Sequence, residues 1–232
     1  MKLVVAIAAV AAVLPAPGVH RASASRCSFD QTRAVIGGRV VCLSEGKVCR
    51  PRFQGGYIRY GFRCGGTLFY NWRGLHRRLR IPAVPTGVAC PASTASGTLG
   101  DRGSTDATQA PAFGPGPAFP TLQAENGRAY LSLTWTPSEQ PYTGWFGTKV
   151  LWTLPRWSGP ALIRGGQLDG TNPIGFDVGP SWTSRVLSEI RLVGPNAGLH
   201  PAATFVRTPG CYAYQIDTAQ SSYLIVFEAR TA

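Results

Sequence analysis

The sequence predicts an all-β protein, an immunoglobulin-like antiparallel β-sandwich preceded by a small, basic, disulfide-rich module. After residue 120, short segments with apolar residues at every second position alternate with turn-forming residues. The chain of 232 residues holds 28 Gly and 19 Pro but one Met, which favours turns and strands over a helical bundle. With 44% hydrophobic and 15% charged residues, its composition also excludes intrinsic disorder.

The alternation predicts the strands of the sandwich. Between residues 212 and 217, three apolar side chains oppose Gln215 and Asp217, because successive strand side chains point to opposite faces. Residues 222–227 are almost continuously apolar, which is typical of a central strand covered on both sides. Three further segments alternate in the same way, namely residues 130–136, 150–154 and 189–192.

The first 24 residues have the features of a secretory signal peptide. Lys2 gives a positive start, an apolar run of 12 residues follows, and Ala22-Ser23-Ala24 supplies the small residues that signal peptidase accepts. The alternative, a membrane anchor, needs about 20 apolar residues. We therefore expect cleavage after Ala24 and a secreted, extracellular protein without a transmembrane segment.

Six cysteines follow the predicted cleavage site: Cys27, Cys42, Cys49, Cys64, Cys90 and Cys211. An even number in an oxidising compartment indicates disulfide bonds, whereas zinc favours close pairs such as Cys-x-x-Cys, which the chain lacks. We expect no metal and no cofactor. Many pairings are possible, but the crowding of four cysteines between residues 27 and 64 favours Cys27–Cys42 and Cys49–Cys64, which leaves Cys90–Cys211.

Positive charge is concentrated near the N-terminus. Of the formal net charge of +12, residues 25–90 carry most, with 12 basic residues against Asp30 and Glu45, whereas residues 91–232 hold nine basic and nine acidic residues. Guanidinium groups bind carboxylates and phosphates through paired hydrogen bonds. We therefore expect an anionic partner, either a cell-wall polymer or lipid head groups, at eight arginines: Arg50, Arg52, Arg59, Arg63, Arg73, Arg77, Arg78 and Arg80.

This charge has two other interpretations. The chain contains only three Lys, which indicates a codon bias towards arginine, and the basic surface could simply be solvated. Aromatic residues interleave with the arginines between residues 53 and 72, as in proteins that bind single-stranded nucleic acid. In a small disulfide-stapled module, however, aromatic residues usually form the core. No specific nucleic-acid-binding motif accompanies them.

Composition divides the chain into four segments. A signal peptide (1–24) precedes the basic module (25–72), a connector (73–120) and the sandwich (121–232). The connector begins basic, and from residue 91 to 120 it holds 23 Pro, Ala, Ser, Thr or Gly in 30 residues, which predicts a linker or a long ordered loop. Phe113 and Phe119 near its end are expected to dock on the sandwich.

No motif identifies a catalytic centre. The chain lacks Gly-x-Ser-x-Gly, a phosphate-binding glycine loop and His-Glu-x-x-His. Two kinds of catalytic group are candidates: a general base at His200, and a carboxylate pair drawn from Asp169, Asp177, Glu189 and Asp217. Positions in loops, in turns and on polar strand faces explain these residues adequately without catalysis. We predict no catalytic residue. Four tryptophans that resemble a sugar-binding platform are expected mostly in the core: Trp145, Trp152, Trp157 and Trp182.

Short motifs carry a resemblance over residues 72–229: Trp72-Arg73-Gly74, Ile81-Pro82, Cys90-Pro91, residues 114–120, residues 149–152, residues 159–165, Leu168-Asp169-Gly170 and residues 209–215. As a set they resemble a family of uncharacterised secreted bacterial proteins with a C-terminal β-sandwich. Residues 42–64 resemble a small cysteine module of other exported bacterial proteins. The resemblance implies fold and location, agrees with pairing Cys90 to Cys211, and implies no catalytic residue.

Together these inferences predict an exported, non-enzymatic protein that binds an anionic cell-envelope component through its basic module. The sandwich then serves as a scaffold or a recognition surface. The main alternative is a secreted enzyme or enzyme inhibitor acting through loops of the sandwich. A third possibility is a structural interaction domain with an exposed sheet edge. The sequence specifies neither the ligand nor the oligomeric state.

Overall fold

The structure, a computed structural model, describes residues 27–28, 31–85, 87–105, 107–139, 141–155, 157, 159–178, 185–194 and 199–232. The predicted signal peptide and Trp182 lie outside these residues. Within them, no helix is long and apolar enough to cross a membrane.

Strands dominate the described chain. In order they are β1 (Thr32–Ile36), β2 (Arg39–Leu43), β3 (Phe62–Cys64), β4 (Leu68–Tyr70), β5 (Ala95–Thr98), β6 (Pro111–Phe113), β7 (Phe119–Pro120), β8 (Gln123–Glu125), β9 (Arg128–Leu133), β10 (Phe146–Thr153), β11 (Pro160–Gln167), β12 (Gly175–Val178), β13 (Ile190–Val193), β14 (His200–Val206), β15 (Gly210–Thr218) and β16 (Ser222–Thr231). The helical turns are a 3-10 turn (Pro51–Phe53), α1 (Gln54–Ile58) and α2 (Trp72–Leu75). The all-β prediction is confirmed.

Two sheets form the larger part of the protein. One has the order β12-β14-β10-β7, and the other has the order β13-β11-β15-β16-β9-β8. Neighbouring strands run antiparallel except β9 and β16, which are parallel. Both sheets contribute to one core, where the ring centroids of Trp152 in β10 and Tyr214 in β15 are 5.0 Å apart. The finer assignment to an immunoglobulin-like topology stays a prediction.

Strand β15 is buried on both faces. Its apolar side chains enter the core, as the alternation predicted, but Gln215 and Asp217 on the other face are also buried, at 1% and 0% exposure. The reason is that residues 76–85, named here the covering segment, lie over this face. The polar side of the pattern therefore meets protein rather than water.

The covering segment is held to the larger sheet by its main chain and by apolar contacts. The Arg80 amide donates to Gln215 Oε1 at 2.7 Å, and the Val84 amide donates to the Leu168 carbonyl at 2.7 Å. Ile81 and Val84 pack beside Leu168. The Cys90–Cys211 disulfide fixes the chain shortly after this segment.

Strand β16 is central, as predicted, since it lies between β15 and β9. The prediction that both of its faces are covered holds only in part, since Val226 packs against Leu168 and Cys211 on the outer face while other residues there stay open. Ile225 and Phe227 are fully buried, but Ser222 is exposed and Leu224 is half-buried. The covering segment buries the outer face of β15 and leaves that of β16 partly open.

Residues 27–72, named here the head, form a separate small core. The β1–β2 hairpin and the β3–β4 hairpin enclose it, and Tyr57 and Phe62 are buried there as predicted for the aromatic residues. Phe69 is an exception at 43% exposure. The head contacts the larger sheet at Gly61, where an added Cβ would lie 2.6 Å from Pro160 Cγ.

The connector is ordered in its described residues and is not a free linker. Strands β5 and β6 pair within it, and β7 joins β10 of the four-stranded sheet. Phe113 is fully buried in the main core, as expected for docking. Phe119 is buried in a smaller cluster with Leu99 and Ala112.

Three disulfide bonds are present, and they are the pairs that the sequence favoured. Cys27–Cys42 and Cys49–Cys64 each span 15 positions, and Cys90–Cys211 spans 121. The first two lie in the head, while the third connects the connector to β15. Disulfides of this kind are typical of proteins that fold in an oxidising compartment.

Candidate anion-binding site

A cavity of about 460 Å³ opens in the head between the inner face of the β1–β2 hairpin and the chain around α1. Its apolar wall includes Leu43, Leu68 and the ring of Phe53. Four basic side chains share the lining, namely Arg39, Lys47, Arg50 and Arg52. An apolar wall beside several cations suits an anionic group attached to a less polar body.

The turn of the β1–β2 hairpin shapes one wall of this cavity. Gly37 and Gly38 have φ values of +57° and +78°, as the tight turns that match strand twist require. An added Cβ at Gly37 would lie 2.7 Å from Phe53 Cε1, whereas one at Gly38 would meet nothing within 4 Å. The absence of a side chain at Gly37 therefore lets the Phe53 ring close against the turn.

The cations are positioned by local contacts. Lys47 Nζ donates to the Cys42 carbonyl at 3.0 Å, and the Arg52 guanidinium lies 4.8 Å from the centroid of the Phe53 ring. The Arg50 amide donates to Tyr57 Oη at 3.3 Å, which fixes the main chain beneath its side chain. Two disulfides restrain the same part of the chain. Ligand binding should therefore lose little additional conformational entropy of the main chain.

No carboxylate neutralises this cavity among its described lining residues. Glu45 is the sole acidic residue between positions 31 and 100 of the sequence. The four ion pairs among the described residues lie elsewhere, and the eight predicted arginines take part in none of them. Their positive charge is therefore available to an external anion.

The structure distributes the eight predicted arginines over three places. Arg50 and Arg52 line the head cavity. A second cavity, of about 340 Å³ beside the covering segment, is lined by three others: Arg77, Arg78 and Arg80. The remaining three are exposed and line neither cavity: Arg59, Arg63 and Arg73.

Sequence reasoning missed Arg39 and Lys47. A usable signal existed for each. Arg39 directly follows the Gly37-Gly38 turn, and its pairing opposite Ile36 places it on the inner face of the hairpin. Lys47 lies between Cys42 and Cys49, each of which forms a disulfide with another part of the head, so its main chain is restrained on both sides.

The carboxylates considered for catalysis have structural partners. Asp169 accepts from the Cys211 amide at 3.1 Å, which connects the bend after β11 to the start of β15. Asp177 accepts from Tyr142 Oη, and Glu189 pairs with His76 Nε2 at 2.7 Å. Within the described ranges, no group of three or more His, Cys, Asp or Glu could hold a metal ion.

His200 and the tryptophans complete the set of catalytic or sugar-binding candidates. His200 lies on β14 opposite Trp152, and burial lowers the pKa of its imidazole. Trp152 is fully buried in the core, as expected, whereas Trp145 and Trp157 are half-buried. None of these residues lines either cationic cavity.

The fold and the cavity define an all-β, disulfide-bonded protein with a cationic site in a small head. Comparison of the chain with protein-family models, with curated proteins and with solved structures finds no match. The resemblance to a family of secreted bacterial proteins therefore stays a prediction.

Proposed function

We propose that this protein is exported and binds an anionic component of the cell envelope through the cavity in its head. The observation that carries the proposal is the convergence of Arg39, Lys47, Arg50 and Arg52 on one cavity with no lining carboxylate. The larger sheets then serve as a rigid scaffold. The predicted signal peptide and the three disulfides support export.

A discrete site explains these cations better than a solvated basic surface. Cations that are only solvated would be spread over the surface, whereas these four residues line one cavity together with apolar residues. Guanidinium groups bind phosphate and carboxylate through paired hydrogen bonds. Arg50 and Arg52, the two predicted arginines that line this cavity, are the residues that we propose for such contacts.

The anion is expected to bind mainly through charge. Exposed charges interact within a Debye length, which is about 10 Å at 0.1 M salt, so binding should weaken as salt is added. Removing two guanidinium groups should reduce both the affinity and the number of counterions that the polymer releases on binding. The slope of log Kd against log salt concentration reports that number.

The test is retention of the full, oxidised chain on an immobilised anionic wall polymer. Wild type is compared with Arg50→Gln/Arg52→Gln and with the charge-matched control Arg33→Gln/Arg185→Gln, whose two residues are exposed and line neither cavity. We expect the cavity variant to elute at much lower salt than the control. Elution of the two variants at the same salt concentration would show that binding depends only on net charge, and would refute a discrete site in the head.

A further inference from the structure

A second cationic groove lies outside the head, between the covering segment and the larger sheet. It measures about 340 Å³ and is lined by Arg77, Arg78, Arg80, Gln215, Ser222, Tyr223 and Leu224. The arginines come from the connector and the other residues come from β15 and β16. The groove exists because the covering segment buries the outer face of β15 but leaves the outer face of β16 partly open.

The main chain beneath these arginines is fixed by one glutamine. Gln215 Oε1 accepts from the Arg80 amide at 2.7 Å, and Gln215 Nε2 donates to the Arg78 carbonyl at 3.1 Å. The side-chain amide thus pairs with the segment on both sides of Leu79, as a neighbouring strand would. Arg77 is anchored further by its Nη2, which donates to the Thr218 carbonyl at 3.1 Å.

The one carboxylate beneath the groove does not repel an anion strongly. Asp217 is fully buried, and its Oδ2 lies 2.7 Å from Arg164 Nη2. Gln215 Nε2 and Ser222 Oγ also donate to this carboxylate, at 3.0 and 2.6 Å. Its negative charge is therefore already compensated, whereas Arg78 and Arg80 are exposed and form no ion pair among the described residues.

The polar groups left for a ligand are of two kinds. The guanidinium groups of Arg78 and Arg80 can only donate hydrogen bonds. Ser222 uses its proton on Asp217, so its oxygen presents lone pairs that accept a hydrogen bond. Tyr223 alternates with Ser222 and Leu224 along β16, so its ring packs against the main core, where its Oη bonds to Ala118. The apolar side chain on the groove side is that of Leu224.

We propose that this groove is a second anion-binding site and that it binds a polyol phosphate. Arg78 and Arg80 hold the phosphate, Ser222 Oγ accepts a hydrogen bond from a hydroxyl on the adjoining carbon chain, and Leu224 contacts that chain. The site is built independently of the head cavity, because the two share no lining residue. Inorganic phosphate would contact only Arg78 and Arg80 and would leave the contacts to the carbon chain unmade.

The test uses the full, oxidised chain carrying Arg50→Gln/Arg52→Gln, so that the head cavity contributes little. Calorimetric titration compares glycerol 3-phosphate, inorganic phosphate and glycerol. We expect glycerol 3-phosphate to bind more tightly than inorganic phosphate, with glycerol binding undetectably. Adding Arg78→Gln/Arg80→Gln should weaken binding about tenfold or more, since hydrogen bonds to charged groups contribute most, whereas adding Arg33→Gln/Arg185→Gln should not.

Ser222 variants test the choice of a polyol phosphate. Ser222→Ala should lower the preference for glycerol 3-phosphate over phosphate by about two- to tenfold, the value of one neutral hydrogen bond. Ser222→Thr keeps the hydroxyl and should keep the preference. Unchanged preference in Ser222→Ala would overturn the hydroxyl contact, and equal affinity with and without Arg78 and Arg80 would overturn the groove while leaving the head proposal intact.

Glycerol phosphate occurs both in soluble polymers and in lipid head groups, so two further probes distinguish the sources. The same chain is sedimented with vesicles of phosphatidylglycerol and phosphatidylcholine, and it is titrated with soluble poly(glycerol phosphate). Binding that depends on Arg78 and Arg80 supports the groove in either arm and assigns the source. Failure of both arms to respond to the arginine substitutions would overturn it.

Discussion

Arg164 Nη2 lies 2.7 Å from Asp217 Oδ2 where the carboxylate is fully buried. The same guanidinium donates to the Arg77 carbonyl of the covering segment. The Arg164 side chain thus neutralises the Asp217 carboxylate in β15 and also binds the covering segment, which carries the arginines of the second cavity. Folding of the larger sheet and placement of this basic segment are therefore coupled.

Removing the buried carboxylate should be costly. Asp217→Ala leaves Arg164 without its ionic partner, and breaking such a buried pair typically costs about 3–5 kcal/mol. Chemical denaturation measures the loss. The matched control is Glu125→Ala, which removes the exposed pair with Arg230 and should change stability little. Similar losses in the two variants would show that the Asp217 network adds little to stability.

The disulfides should differ in their contributions. In the loop-entropy model a closed loop of about 100 residues stabilises by about 4.7 kcal/mol and one of about 15 by about 3 kcal/mol. Cys90→Ser/Cys211→Ser opens a span of 121 positions and should therefore cost more than Cys27→Ser/Cys42→Ser, which opens a span of 15. Denaturation midpoints of the two variants test the order, and the reverse order would refute it.

The hairpin turn offers a test of how the head cavity is built. Gly37→Ala and Gly38→Ala both place a side chain at positive φ, but only the first drives a Cβ into the Phe53 ring. Gly37→Ala should therefore be less stable than Gly38→Ala and should bind the anionic polymer more weakly. If the two variants are equal in stability and binding, the Phe53 contact does not shape the site.

Burial of His200 gives stability a pH dependence. Burial holds the pKa of its imidazole below the ordinary value of 6.5, so below that pH the unfolded chain binds the proton more readily than the folded chain. This part of the stability is present above about pH 6.5 and is lost as the pH falls towards the lowered folded-state pKa. His200→Gln should flatten the fall in denaturation midpoint over that range, and an unchanged profile would contradict this role.

The sandwich strands could be predicted because their apolar alternation is local. Tyr214 and Trp152 lie on apolar faces that the pattern shows directly, and both are buried in the core. The covering segment could not be predicted, because its contacts join positions far apart in sequence, such as Arg80 and Gln215. Alternation marks which side of β15 is polar, but not that another part of the chain covers it.

The candidate site was predictable only in part, for the same reason. Charge density along the sequence found Arg50 and Arg52, but it also included Arg59, which lines neither cavity. Which cations share a cavity depends on hairpin faces and disulfide pairing. Arg39 enters the head cavity because it lies opposite Ile36 on the inner face of the hairpin.

Arg39, Arg50 and Arg52 are proposed to bind an anion together in the head cavity, and a titration followed at single arginines tests this most directly. The Nε–Hε NMR signals of the full chain are recorded as poly(glycerol phosphate) is added. We expect saturable shifts at Arg39, Arg50 and Arg52 that exceed those at Arg33 and Arg185. Shifts of similar size at all five, growing without saturation, would mean that the polymer meets only diffuse charge and would contradict the claim.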